Sequence, residues 1–219
     1  MIKIRKHYNE DLENINSRIF DMGNEVILSF KKALVACKEN NIELAYDIKE
    51  HDKLINDMEV SINIDGYLLI AKQCPVASDL RKVITALKIS SDLERIADYS
   101  VNIAKYIIKT KHDNSSQIET ISKLGEHIIK MLEGIMEAFK TKNIELALEI
   151  SALDEILDIK YENEVKNLIK IGKTATDSES EEAMRALLVI KQIERAGDHV
   201  TNIAENIVYL VNGKRVELN

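Results

Sequence analysis

A twelve-residue segment with the same charged and polar residues occurs twice in this chain, one hundred residues apart. The first copy is residues 93–104, LERIADYSVNIA, and the second is residues 193–204, IERAGDHVTNIA. Six positions are identical, and four of those six are polar: Glu, Arg, Asp and Asn. Packing alone requires hydrophobicity and not particular charges, so the repeated polar residues indicate a functional site.

The repeated acids are spaced to form a row along one face of a helix. The row consists of Glu94, Asp98 and Asn102 in the first copy and of Glu194, Asp198 and Asn202 in the second. At about 100° per residue, each row lies on the side of its helix away from the apolar stripe. Oxygen ligands in a row suit a hard or borderline cation. We therefore predict a metal site on each face; the competing interpretation is a solvated surface.

The preceding helix of each copy could add ligands to these sites. Asp154 and Asp158 are again four residues apart, with Glu162 one turn further on. The matching residues of the first copy are Asp52 and Asn56. Because Asn is a neutral and weaker ligand, we expect the first site to bind less tightly or to hold fewer ions. A solvated surface is the alternative for these residues too.

Three arginines and one histidine border the acidic rows or a helix start. Arg95 and Arg195 directly follow the repeated glutamates, where a structural salt bridge or an anion contact would fit. His199 borders the second row, but Tyr99 replaces it in the first copy, so a ligand role for His199 is optional. Arg81 follows a predicted helix start, where anion binding competes with simple exposure.

The repeat extends along the whole chain, which predicts two similar all-α units. Residues 41–45 recur as residues 143–147, and Met22-Gly23 aligns with Leu124-Gly125. One proline and seven glycines in 219 residues favour long helices. Apolar spacing predicts three helices in each unit, at 4–38, 42–72 and 78–111, then at 117–140, 143–171 and 178–212. The fold class is therefore two tandem three-helix bundles.

Turn signals set the predicted boundaries. The first repeat is residues 1–112, the linker is 113–116, and the second repeat is 117–219. Cys74-Pro75 should end the second helix and Ser78 should cap the third. Residues 174–180 should form a loop, and Gly213 should end the last helix.

Composition excludes several classes of protein. A formal net charge of −7 argues against a nucleic-acid partner. Cys37 and Cys74 have no metal-ligand or CxxC spacing and are expected to be reduced thiols in the cytoplasm. No apolar run approaches the roughly 20 residues that span a bilayer. Peripheral placement beside a membrane protein remains open.

The motifs together resemble the signature of the PhoU family. The resemblance rests on the tandem Glu-Arg-x-x-Asp segments, on PVASDLR at residues 75–81, and on Asp154 to Asp158 followed by Tyr161-Glu162. It covers nearly the whole chain. The chain departs from the family pattern at Ala97, where glycine is usual, whereas Gly197 retains it.

The resemblance implies two three-helix bundles related by a pseudo-twofold axis, without enzymatic activity. It implies a negative regulator of the phosphate-starvation response, which couples a phosphate ABC transporter ATPase to a sensor histidine kinase at the inner face of the membrane. It also implies metal clusters of iron, zinc or nickel. Glu94, Asp98, Glu194 and Asp198 match the family's metal motif, with Asn102, Asn202, Asp154, Asp158 and Asp52 as companions.

Other functions compete with this one. A di-iron enzyme is disfavoured because no histidine has a Glu three residues before it. An accessory subunit of a low-affinity phosphate transporter and a metal-free helical interaction module both remain alternatives. A homodimer is also expected, although no residue pattern specifies its interface.

Overall fold

The computed structural model describes residues 2–110, 115–174 and 176–218, and these residues form seven helices and no strand. The helices are α1 Ile2–Glu39, α2 Ile42–Gln73, α3 Ser78–Lys109, α4 Ser115–Thr141, α5 Ile144–Ser151, α6 Leu153–Thr174 and α7 Asp177–Asn212. The all-α prediction and the division into two helical repeats are confirmed. Residues 113 and 114 of the predicted linker lie outside the described residues, and Ser115 already belongs to α4.

The turns between α1 and α2 and between α4 and α5 have the same geometry. Asn40 and Lys142 each adopt a positive φ, at 50° and 54°. The next residue caps the following helix: Asn41 Oδ1 accepts the Leu44 N–H at 2.9 Å, and the Asn143 side chain does the same for Leu146. The repeated sequence thus encodes a repeated turn, because an Asn side chain satisfies an N–H group that the first helical turn leaves free.

Two predicted helix boundaries are wrong. The helix predicted at 143–171 is divided into α5 and α6 at Ala152. Ser78 is the first residue of α3 and not its cap; the cap position is Ala77, with φ 49° and no side-chain hydrogen bond. Helix α2 does end at Cys74, as predicted from the following proline, although Cys74 is left-handed and not extended as residues before proline usually are.

The last helix is closed at both ends by residues of the expected types. Thr176 accepts from the Glu179 N–H while Glu179 accepts from the Thr176 N–H, which forms a capping box. The loop predicted at residues 174–180 is therefore shorter, since α7 begins at Asp177. Gly213 ends α7 with φ 74°, as predicted.

The two repeats pack against each other through α1 with α4 and α3 with α7. Glycines let α1 and α4 approach closely: Met136 of α4 covers Gly23, and Leu34 of α1 covers Gly125. Gly125 and Met136 lie 102 residues after Gly23 and Leu34, so the repeat relates the two contacts to each other. The interface is therefore pseudo-symmetric. Buried side chains of both repeats form one continuous core. The predicted apolar stripes of α3 and α7 lie within it.

Candidate functional site

The repeated acids lie in two clusters, one in each repeat. The first acidic cluster, between α2 and α3, consists of Asp52, Glu59, Glu94 and Asp98. The second acidic cluster, between α6 and α7, consists of Asp154, Asp158, Glu194 and Asp198. The structure thus brings the acids of the preceding helix to the motif acids, as the sequence predicted. The motif acids lie away from the apolar stripe of their helix, but they are not fully exposed, because α2 and α6 half-bury them.

Asp154 is the most deeply buried member of the second acidic cluster. Its side chain is 5% exposed, and its Oδ2 accepts from the Thr201 hydroxyl at 3.2 Å. Its Oδ1 lies over Gly197 and has no hydrogen-bond partner. Burial, together with the Asp158 carboxylate, raises the pKa of Asp154 from 3.8 to about 6. The glycine of the motif therefore makes the space that this carboxylate occupies.

The first acidic cluster is shallower. Ala97 stands where the second repeat has Gly197, and Asp52 is half-buried. Asn56 donates to Asp52 Oδ2 at 3.3 Å, which leaves Asp52 Oδ1 and the Asn56 carbonyl without hydrogen-bond partners. Burial, with the charge of Asp98, raises the pKa of both Asp52 and Glu94. The two sites are therefore similar in plan and different in depth.

Neighbouring cations compensate part of this negative charge. Lys191 Nζ lies 2.6 and 2.7 Å from the two carboxylate oxygens of Glu194. In the first repeat Arg95 lies 3.5 Å from Glu94 and 3.4 Å from Asp98. Arg95 thus makes the salt-bridge contacts expected from its position beside Glu94. Burial, followed by the charge of Glu194, nevertheless raises the pKa of Asp158 and Asp198.

Four of the remaining candidate residues contact groups outside the acidic clusters. Asn102 donates to Gln192 of α7 at 3.4 Å. Arg195 lies over the Tyr99 ring, 5.8 Å from its centre, and Arg81 lies 5.6 Å from the centre of Tyr209. His199 pairs with Asp92 of α3 at 2.9 Å. These four side chains join α3 to α7. Asn202 is half-buried on α7.

The donor chemistry of the second acidic cluster suits a hard or borderline cation. The Asp154 Oδ1 atom is buried without a partner, and a cation would supply one. In the described part of the chain, no group of three or more His, Cys, Asp or Glu side chains is arranged to hold a metal ion. Coordination by three carboxylates would therefore require side-chain rotation, and Glu194 could serve as a ligand only after release from Lys191.

Sequence reasoning missed three residues that shape these clusters: Glu59, Lys191 and Thr201. Glu59 lies two turns after Asp52, so its position on the same helix face was predictable. Lys191 lies three residues before Glu194, a spacing at which side chains of a helix meet. Thr201 carried no such signal, because its hydrogen bond crosses from α7 to Asp154 of α6.

Comparison with known proteins agrees with the fold and with the repeat. A family model described as the PhoU domain matches residues 19–107 and again residues 121–207. A phosphate-specific transport system accessory protein PhoU homolog of Clostridium acetobutylicum is 33% identical, over 98% of this chain and 99% of that protein. The phosphate-specific transport system accessory protein PhoU of Escherichia coli is also 33% identical, over 97% of this chain and 90% of its own length.

Two solved structures extend the comparison to three dimensions. The phosphate transport system regulatory protein PhoU from Streptococcus pneumoniae superposes with a TM-score of 0.88 at 29% identity, over 96% of this chain and 99% of that one. PhoU from Pseudomonas aeruginosa gives 0.89 at 29% identity, over 94% of this chain and 100% of its own. With a family model matched in both repeats and relatives aligned along almost the whole sequence, this chain belongs to the PhoU family.

Proposed function

We propose that this protein is a non-enzymatic regulator of phosphate uptake that represses the phosphate-starvation response when phosphate is plentiful. The observation that carries the proposal is the alignment of nearly the whole chain with phosphate-specific transport system accessory proteins. Both PhoU-domain matches and both acidic motifs are present in this chain.

The proposed role is to couple the ATPase of a phosphate ABC transporter to a sensor histidine kinase. No helix among the described residues is long and apolar enough to cross a membrane. We place the protein in the cytoplasm, at the inner face of the membrane, where both partners would expose soluble domains. Its acidic surface suits basic patches on those partners.

Deletion of the chain in its host tests the regulatory role. A phosphatase reporter of phosphate starvation is expected to be high in phosphate-replete deletion cells and low again after complementation. A reporter that stays low in the deletion strain contradicts negative regulation. Impaired uptake without a reporter change would point instead to a low-affinity transporter subunit.

Co-purification tests the coupling role. Affinity-tagged protein is expected to retain the transporter ATPase and the kinase from detergent-solubilised membranes, while a tagged unrelated helical bundle retains neither. If the tagged wild-type protein retains neither the ATPase nor the kinase, the proposed coupling is contradicted.

We further propose that the acidic clusters bind a divalent or trivalent metal ion, with iron, zinc and nickel as candidates. The buried Asp154 oxygen without a partner is the structural support for this. Metal content of purified protein, measured by mass spectrometry, is expected to fall in Asp154→Asn/Asp198→Asn and to be unchanged in Glu155→Gln, an exposed acid beside the cluster. Equal metal content in all three proteins would contradict metal binding there.

A further inference from the structure

A groove with positively charged walls lies between the C-terminal end of α3 and the N-terminal half of α7. Its volume is about 480 Å³, which is within the range of ligand-binding clefts. We call it the basic groove and define it by Lys105, Tyr106, Lys109, Arg185 and Leu188. Among the described residues that line it, none is acidic. In a chain with a net charge of −7, this local excess of positive charge indicates a site for a negatively charged group.

Two cations of the basic groove take no part in ion pairs. Lys105 Nζ contacts the neutral Asn102 Oδ1 at 3.4 Å, and neither Lys105 nor Lys109 pairs with a carboxylate of the described residues. Arg185, in contrast, is held in place, because it donates to the Lys109 carbonyl at 3.1 Å and pairs with Glu181. The two exposed ammonium groups can therefore form charge-assisted hydrogen bonds with an anionic ligand.

Apolar surface accompanies these charges in the basic groove. Leu188 is 63% exposed, and the buried side chains of Tyr106 and Val189 also line the groove. A small inorganic anion would leave this apolar surface in water. A ligand that carries both acidic groups and an apolar side chain would contact both kinds of surface.

The equivalent place in the second repeat is covered by the chain itself. At the motif offset of 100 residues, Glu205 and Tyr209 are the equivalents of the two lysines. The non-helical segment after α7 contacts both of them. Leu218 N–H donates to Glu205 Oε1 at 2.9 Å, and Arg215 lies 5.5 Å from the centre of the Tyr209 ring. Leu218 also packs against the core. This position of the fold therefore accommodates a short peptide segment.

The first repeat does not supply its own counterpart of Leu218. Leu218 lies nine residues after Tyr209, whereas the residue nine positions after Lys109 is Ile118, which belongs to α4. A segment that covers the basic groove in the same way must therefore come from another molecule.

The charges of the two places are opposite, which specifies the chemistry of that segment. The segment that contacts Glu205 carries two cations, Lys214 and Arg215. The basic groove presents cations from its own walls, at Lys105 and Lys109. Its complement is therefore a segment that carries carboxylates.

We propose that the basic groove binds a short acidic segment of a partner protein, in the way that residues 213–218 cover the equivalent place in the second repeat. Carboxylates of the partner pair with Lys105 and Lys109, and an apolar side chain of the partner packs on Leu188. This site is additional to the acidic clusters, and it goes beyond the proposed regulatory function.

A peptide derived from the chain's own sequence tests the proposal. Residues 213–218 read GKRVEL, and the probe is the amidated peptide GEDVEL, in which acids replace the two cations. Titration of the full chain with up to about 1 mM probe is expected to shift the NMR amide signals of Lys105, Lys109 and Leu188. The GKRVEL peptide should leave these signals in place. Signals that stay in place with GEDVEL, or that move equally with both peptides, would overturn the proposal.

Paired lysine variants locate the binding. Lys105→Gln/Lys109→Gln is expected to raise the dissociation constant of GEDVEL roughly tenfold, because it removes both unpaired charges. Lys49→Gln/Lys53→Gln removes two exposed lysines of α2 with the same spacing, and it should bind GEDVEL as the wild type does. All four lysines are exposed, so both variants should keep the dispersed spectrum of a folded protein. Equal affinities of the two variants would exclude the basic groove as the site.

Two further measurements separate a peptide site from a site for small anions. Leu188→Ser is expected to weaken GEDVEL binding several-fold, because it removes apolar contact area. An unchanged affinity would contradict the apolar contact. ATP supplies negative charge without a peptide chain. If ATP shifts the groove signals and GEDVEL does not, the groove binds small organic anions and the peptide proposal is wrong.

Peptide binding is measured on purified protein, whereas the regulatory role is measured by a reporter in cells. Failure of either result is therefore distinguishable from failure of the other.

Discussion

The glycine of the second acidic motif and the aspartate above it form one structural unit. A Cβ atom at residue 197 would collide with Asp154 Oδ1 and would lie 2.6 Å from Leu157 Cδ2. Neither neighbour can move easily, because Asp154 is hydrogen-bonded to Thr201 and Leu157 is fully buried. Residue 197 therefore limits how deep the aspartate can lie, which explains why the first repeat, with Ala97, has the shallower cluster.

Gly197→Ala is expected to destabilise the protein in spite of the better helix propensity of alanine. Overpacking costs about 1–3 kcal/mol, against a propensity gain of at most about 1 kcal/mol. Urea unfolding would measure the difference. Gly172→Ala is the matched control, since nothing lies within 4 Å of a Cβ there, and it should be neutral or stabilising. A Gly197→Ala variant as stable as that control would contradict the close contact.

The raised pKa of Asp154 predicts how stability depends on pH in metal-free protein. Asp154 stays protonated up to about pH 6 in the folded state but only up to about pH 3.8 in the unfolded state. Its contribution to the free energy of unfolding is therefore greatest below pH 4 and is lost as the pH rises through 6. Asp154→Asn should therefore be more stable than the wild type at pH 7 by up to about 3 kcal/mol. The difference should vanish near pH 4.

Urea unfolding of both proteins between pH 4 and 7, with chelator present, measures this difference. Glu155→Gln, which removes an exposed neighbouring carboxylate, is the control and should follow the wild type at every pH. A constant offset between Asp154→Asn and the wild type across this range would rule out the proposed titration.

At the scale of helices, the ends that carry their own chemical signals were predictable from the sequence. Asn41, Pro75 and Gly213 each specify a conformation locally, and each lies at a helix end. The break at Ala152 was not predictable, because the sequence there contains neither glycine nor proline. The partial burial of the acidic rows was not predictable either, since a helical wheel shows one helix and not the neighbour that covers it.

The repeated caps predict equal effects in the two repeats. Asn41→Ala and Asn143→Ala each remove a side-chain acceptor from the first turn of a helix and should each lower the free energy of unfolding by about 1 kcal/mol. Chemical denaturation would measure both values. Asn41→Ser and Asn143→Ser, which keep an acceptor, should lose much less. Equal losses for Ser and Ala would show that the side-chain acceptor is not what stabilises these helix ends.

At the scale of the whole molecule, the two repeats share one core and are expected to unfold together. Gly125→Ala should lower the temperature of that single transition, because its Cβ would collide with the buried Leu34 of the other repeat. Scanning calorimetry would measure this. Two separate transitions in the wild type would contradict a shared core.

The relation between the repeats was only half predictable. The recurring residues showed that there are two similar units, and Met22-Gly23 with Leu124-Gly125 marked equivalent positions. Only the structure shows that these glycines lie at the contact between α1 and α4. The sequence does not show it, because a contact between distant helices leaves no periodic pattern in either helix. The pairing of His199 with Asp92 across α3 and α7 is hidden from the sequence for the same reason.

The most direct test of the regulatory role is the starvation reporter in phosphate-replete deletion cells that express the wild type, Asp98→Asn/Asp198→Asn, or Glu155→Gln at matched levels. If the acidic clusters take part in regulation, the wild type and Glu155→Gln are expected to keep the reporter low, whereas the double variant should leave it high. These positions alter one acid in each cluster without removing a buried apolar contact. A double variant that represses as fully as the wild type would contradict a role of the acidic clusters in regulation.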